Sequence, residues 1–199
     1  MREIVIATED VLSESVARRL VGETRSRLVV GNTIRRNGAG YLRSKFRNFC
    51  EIARRTPVLL IADLDTAACP PAMIDIWSRR DAIPGRLLFR IAVRQIESWI
   101  LADREGIAKF LSVRVANIPK APDALGNAKH ALLQAAQKAP RSLRDELVAE
   151  RNAIAAQGLG YNDLLSKFVR TTWNPRNAAS RSGSLDRARK RLSELAKAR

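Results

Sequence analysis

Two apolar runs in this chain end in acid. Val58-Leu59-Leu60-Ile61-Ala62 is closed by Asp63 and, after Leu64, by Asp65; Ile4-Val5-Ile6-Ala7 is closed, after Thr8, by Glu9 and Asp10. Side chains at i and i+2 of an extended segment point the same way, so Asp63 and Asp65 are expected to leave the strand end together. Like charges held that close repel, and the arrangement gains most if a divalent cation sits between them. If both strands end at one sheet edge, Glu9 joins Asp63 and Asp65 there as an oxygen-only donor set suited to Mg²⁺ or Mn²⁺. A plainer reading has one Asp capping the next helix and the other solvated, because short acidic motifs are common.

The elements that must position these acids follow from hydrophobic pattern. Five consecutive apolar residues read as a strand buried on both faces of a parallel sheet, and open sheets of that kind place ligands beyond the carboxyl ends of their strands. Strands are predicted at 3–8, 27–31, 58–63 and 87–93. Helices are predicted from Ser13 (as N-cap) to Val21, over 41–54 with Leu42, Phe46, Phe49 and Ile52 inward, over 71–80 behind Pro71, and from Arg94 to Ala102. Asn37-Gly38-Ala39-Gly40 reads as a turn and lacks the Lys-Ser/Thr of a phosphate loop. Beyond Asp103 strand signals stop. Helices are expected at 105–111, 128–139, 141–157, 163–172 and from Ser184 onward, with a two-proline linker at 118–123 and a basic, flexible loop at 174–183. The expected fold is α/β: a Rossmann-like parallel sheet of about four strands flanked by helices, with residues 1–112 as core and 113–199 as a helical, basic extension.

The order of these motifs resembles the Toprim domain of topoisomerases, primases and overcoming-lysogenization-defect nucleases, in which one strand ends in a lone Glu and a later one in Asp-x-Asp. Closer still, Ile61-Ala62-Asp63-Leu64-Asp65 followed by Arg90-Ile91-Ala92-Val93-Arg94-Gln95-Ile96-Glu97-Ser98-Trp99-Ile100-Leu101-Ala102-Asp103 resembles a Toprim-like family often encoded beside ABC-type ATPases in prokaryotic defence loci. The similarity covers roughly the first 130 residues, and because each motif is short, order and spacing carry the weight. The resemblance implies metal-dependent phosphodiester cleavage at Glu9, Asp63 and Asp65, and an ATPase partner that holds or triggers the nuclease. It also implies that Glu9 is open to a general-base role. Two departures stand out: Asp10 follows Glu9 where Gly is common, and Glu14 is offset by one residue from a second acid of many relatives. Both bear on a second metal more than on the first.

Two further residues enter as catalytic candidates. Glu97 is expected just after a strand ending at the same edge, as a fourth acid or as an orienter of the others; its simpler role is a surface pair with Arg94, three residues away. Lys129 lies near a Lys of the resembled family and is suited to offsetting negative charge on a phosphoryl group, or is one more solvated lysine. Glu14 either reaches a second metal or merely favours the start of its helix. Cys69 lies close to the acids without a basic partner, and the single histidine, His130, has no neighbouring ligands; both read as packing or surface residues.

Charge sets the partner class. With 36 basic and 20 acidic residues the net charge is +16, which favours a polyanion and above all nucleic acid. Arg35, Arg36, Arg43 and Lys45, beside Arg47 and interleaved with Tyr41 and Phe46, are expected to track a phosphate backbone, as are Arg189 and Lys190 on the last helix. An anionic membrane is disfavoured because the last helix carries no aromatic residue. No apolar run approaches the roughly 18 residues of a membrane span. Two cysteines without a CxxC spacing, and a start with no signal-peptide layout, fit a reduced cytoplasm. The expected function is a Mg²⁺- or Mn²⁺-dependent nuclease acting on DNA or RNA; the alternative is a non-catalytic nucleic-acid-binding or regulatory subunit that keeps the fold.

Overall fold

The computed structural model describes residues 1–35, 39–150 and 153–198, and of Ala39 only the backbone. Its centre is one parallel sheet in the order β2-β1-β3-β4, formed by β1 (Arg2–Thr8), β2 (Leu28–Arg35), β3 (Val58–Asp63) and β4 (Leu87–Ala92). The expected α/β architecture is therefore present. The two apolar runs that end in acid are neighbours: Val5, Ile6 and Ala7 pair with Val58, Leu59 and Leu60. Parallel pairing brings their carboxyl ends to the same edge.

Period-two alternation divides the buried side chains between two faces. Ile4, Ile6, Leu59, Ile61 and Leu88 face one cluster; Ala7, Val58, Leu60, Ala62 and Phe89 face the other. The second face is covered by α2 (Ala39–Ser44), α3 (Phe46–Ala53) and α4 (Pro70–Ser78), with Trp77 stacked on Phe89 at 4.9 Å between centroids. The first face is larger. It is covered by α1 (Val11–Gly22), α5 (Ile96–Ala102), α6 (Arg104–Leu111) and α7 (Ala128–Ala136), then by α8 (Arg141–Leu147), α9 (Tyr161–Thr171), α10 (Pro175–Ala179) and α11 (Gly183–Lys197). Leu132, Phe168, Leu185 and Leu192 of the C-terminal helices share one buried cluster with Leu12, Val16 and Leu20 of α1. Each such aliphatic side chain contributes about 1.5–3 kcal/mol relative to exposure. Polar pins fix the docking: Trp99 Nε1 donates to Ser184 Oγ at 2.7 Å, and buried Asp103 accepts from Asn174 N and Asn177 Nδ2 at 2.8 and 2.7 Å.

Several elements differ from expectation. α1 begins at Val11 with Asp10, not Ser13, as N-cap; the Asp10 carboxylate accepts the Ser13 N–H at 2.7 Å. The helix predicted over 41–54 is two helices that meet at Lys45. α8 stops at Leu147 instead of running to 157, because extended Val148 pairs with Gln157 and Gly158 closes against Glu146, where a Cβ would meet the backbone oxygen at 2.4 Å. The expected flexible loop at 174–183 contains α10. Asn174 caps that helix through Arg176 N and Asn177 N, with Pro175 at the first helical position. The predicted turn at 37–40 falls partly outside the described residues. No helix among them is long and apolar enough to cross a membrane.

Candidate functional site

Glu9 lies one residue beyond β1, and Asp63 is the last residue of β3. The Glu9 side chain reaches the end of β3: the Asp63 backbone N–H donates to Glu9 Oε1 at 3.4 Å. Asp63 Oδ1 in turn accepts the Ile96 N–H at 2.9 Å, which ties the end of β3 to the first residue of α5 beyond β4. Three neighbouring strands thus converge on one pair of carboxylates.

Asp65 reaches this edge by a different route from the one expected. The strand ends at Asp63, Leu64 is buried, and Asp65 turns into the left-handed region with φ 46°. The i, i+2 rule of an extended strand therefore does not orient the pair. Instead the turn is held by Arg94 through both its backbone and its side chain: Asp65 N–H donates to Arg94 O at 3.0 Å, and Arg94 Nη1 donates to Asp65 O and Ala67 O at 3.2 and 2.7 Å. Asp65 is exposed, yet its charge is felt by both Glu9 and Asp63.

The electrostatic signature is mutual repulsion in a poorly solvated edge. Burial is the main force raising the Glu9 carboxyl to about 7, and Asp65 and Asp10 push the same way against the Asp63 N–H. Asp63 is raised well above the ordinary carboxylate range, first by burial and then by Glu97, Glu9, Asp65 and Asp10. Glu97 is 5% exposed and is not a surface partner of Arg94. Its Oε1 accepts the Tyr161 hydroxyl at 2.8 Å, burial raises its carboxyl, and Tyr161 and Lys129 draw it down. Lys129 sits half-buried, with Nζ 5.2 Å from the centre of the Tyr161 ring, and its N–H donates to Gln95 Oε1 at 3.1 Å. It is therefore part of the edge and not a merely solvated lysine.

The donor set fits a hard divalent cation in kind: oxygen only, several carboxylates, and repulsion that a cation would relieve. As the side chains stand, no three His, Cys, Asp or Glu among the described residues close round a single ion position. Glu14 is turned elsewhere, with its oxygens 2.8 Å from Arg18 and 3.2 Å from Arg35. Cys69 is exposed and His130 bonds Gln134 at the surface, so neither joins the acids.

The described basic candidates sit on different elements, and several are already paired. Arg35 is engaged by Glu14, while Arg43 and Lys45 are exposed on and just after α2, which packs against β3. Arg36 lies outside the described residues. Arg189 is not a free cation: it forks onto Glu23 at 2.7 and 2.9 Å and is mostly buried there, joining α11 to the end of α1. Lys190 pairs with Asp186 at 2.7 Å.

Two participants carry no clear sign in the sequence. Tyr161 follows a Gly-Leu-Gly break and stands 64 residues from Glu97, so no spacing links them. Asp10 was legible only as an acid beside Glu9, although its position before Val11 and Leu12 suits a cap. Compared with known proteins, the chain matches no family model, no curated protein and no solved structure.

Proposed function

We propose that this protein is a Toprim-like, metal-dependent nuclease that hydrolyses phosphodiester bonds in DNA or RNA. The observation that carries the reading is the junction of Glu9 with Asp63, where carboxylates at the ends of adjacent parallel strands act on each other at the sheet edge where folds of this kind bind ligands, in a strongly basic chain. Glu9, Asp63 and Asp65 would hold Mg²⁺ or Mn²⁺. The ion, when bound, supplies stabilisation of negative charge on phosphoryl oxygen and eases deprotonation of water.

The chain's own groups divide the remaining work. Glu9, whose carboxyl burial raises to about 7 without a cation, is the group open to a general-base role instead of a ligand role. The Asp63 N–H and the Ile96 N–H keep Glu9 and Asp63 in register. Tyr161 holds Glu97 beside the acids, and Lys129 offsets charge on that side. Arg43 and Lys45, both exposed, are the proposed contacts to the phosphate backbone. The cytoplasm, where Cys50 and Cys69 stay as thiols, is the proposed compartment. An ABC-type ATPase partner, in an antiphage role, rests on the resemblance of the motifs alone.

The test is cleavage of single- and double-stranded DNA and RNA by wild type and Asp63→Ala, in Mg²⁺, Mn²⁺ or EDTA. Metal-dependent cleavage lost in the variant supports the nuclease. Nucleic-acid binding that is equal in both proteins, with no cleavage in any condition, replaces it with a non-catalytic binding subunit.

A further inference from the structure

A second charged site lies at the other edge of the sheet. Where α1 ends and β2 begins, a concave pocket of about 420 Å³ is lined by Arg25, Arg27, Arg176, Arg189 and Lys197, with Glu23 as the lone acid. Glu23 is already engaged, bidentately by Arg189 and at 3.9 Å by Arg176. Among the described residues, Arg25, Arg27 and Lys197 have no side-chain partner. Three uncompensated cations therefore face a pocket whose acid is spent on the other two.

The surroundings hold this arrangement in place. Buried Leu20 and Leu192 form part of the lining, and the Arg189–Glu23 fork locks α11 against the end of α1. The connecting turn puts Arg25 and Ser26 in succession into the left-handed region, at φ 52° and 63°, a conformation that non-glycine residues adopt at a cost. That turn presents Arg25 and Arg27 together, and Arg27 O accepts the Arg2 N–H at 3.0 Å, which fixes the turn to the start of β1. β1 then runs seven residues before Glu9, so pocket and carboxylates are separated by on the order of 20 Å.

We propose that this pocket binds a phosphate chain, two or more linked phosphates, belonging either to a nucleoside polyphosphate or to a nucleic-acid strand. Guanidinium groups present paired N–H donors that match phosphate oxygens, and excess positive charge in a concavity of small-ligand size calls for more than one phosphate charge. The site is distinct from the carboxylate edge and needs no metal.

The test uses the full-length chain in EDTA, which keeps it independent of any nuclease activity. Pyrophosphate and ATP are titrated by calorimetry, and a labelled single-stranded oligonucleotide by fluorescence anisotropy. Wild type is compared with Arg27→Glu/Lys197→Glu and with Arg114→Glu/Lys120→Glu, an equal charge change at exposed positions elsewhere. The expected result is binding by wild type and by the control, weakened about tenfold or more in the pocket variant. Displacement of the oligonucleotide by pyrophosphate assigns the free polyphosphate; oligonucleotide binding that pyrophosphate does not displace, but the pocket variant loses, assigns the strand. Absence of binding to every probe, or equal weakening in both variants, overturns the proposal.

Discussion

The hydroxyl of Tyr161 lies 2.8 Å from Glu97 Oε1, joining the first residue of α9 to α5 inside the protein. Both groups are buried, and each shifts the other: the Glu97 charge helps hold the phenol protonated, and the phenol draws the carboxyl down against its burial. Tyr161→Phe leaves a buried carboxylate without its donor and should cost about 1–3 kcal/mol in urea unfolding. Glu97→Gln keeps an acceptor oxygen for the same hydroxyl and should cost less. Equal stability of Tyr161→Phe and wild type would show that the bond does not hold the helices together.

Protons should stabilise the metal-free protein. Glu9 stands at about 7 in the fold against 4.5 for an ordinary Glu, and Asp63 and Glu97 are also raised. A raised carboxyl binds its proton more tightly in the folded than in the unfolded chain. Its contribution is therefore greatest below the unfolded value and is lost as pH rises through the folded one. For Glu9 that window is 4.5 to about 7. In EDTA the urea midpoint should fall between pH 5 and pH 8, and the fall should be shallower in Glu9→Gln. An identical pH profile for the two proteins would remove Glu9 from the account.

Relieving the repulsion should separate stability from activity. In Asp63→Asn the amide oxygen still accepts the Ile96 N–H, while the carboxyl whose ionisation burial and its acidic neighbours oppose is gone. The metal-free variant should be more stable than wild type by about 1–2 kcal/mol, as at other strained functional sites. Its nuclease activity should fall about 100-fold or more, the order of loss when an electrostatic stabiliser is removed. Destabilisation, or cleavage at the wild-type rate, would contradict the role given to Asp63.

Glu14 is the nearby acid expected to matter least. With its oxygens on Arg18 and Arg35, Glu14→Gln should leave cation affinity unchanged and cost at most about 1 kcal/mol, as partly exposed pairs do. A loss of Mn²⁺ affinity in this variant would restore it to the site.

The sheet was legible because an apolar run such as Val58–Ala62 needs burial on both faces, and few structures other than a central parallel strand provide it. The meeting of Glu9 with Asp63 followed from two such strands ending in acid. Asp65 was harder: its identity was visible, but the left-handed turn that carries it depends on Arg94, a residue 29 positions on. Tyr161 and the Arg189–Glu23 fork were not legible at all, since helix packing brings together residues that no periodicity relates. The helix predicted over 141–157 failed for a local reason: Gly158 fits against Glu146 only without a side chain, and that closure ends the helix early.

The most direct test of the central claim is a Mn²⁺ titration of the metal-free protein, followed by the loss of the free-ion electron paramagnetic resonance signal. Wild type should bind Mn²⁺, with affinity reduced about tenfold or more in Asp63→Asn and in Glu9→Gln, since both are assigned as ligands. Mn²⁺ should also flatten the pH dependence of wild-type stability. Equal Mn²⁺ affinity in wild type and both variants would contradict the claim that the junction of β1 and β3 is the metal site.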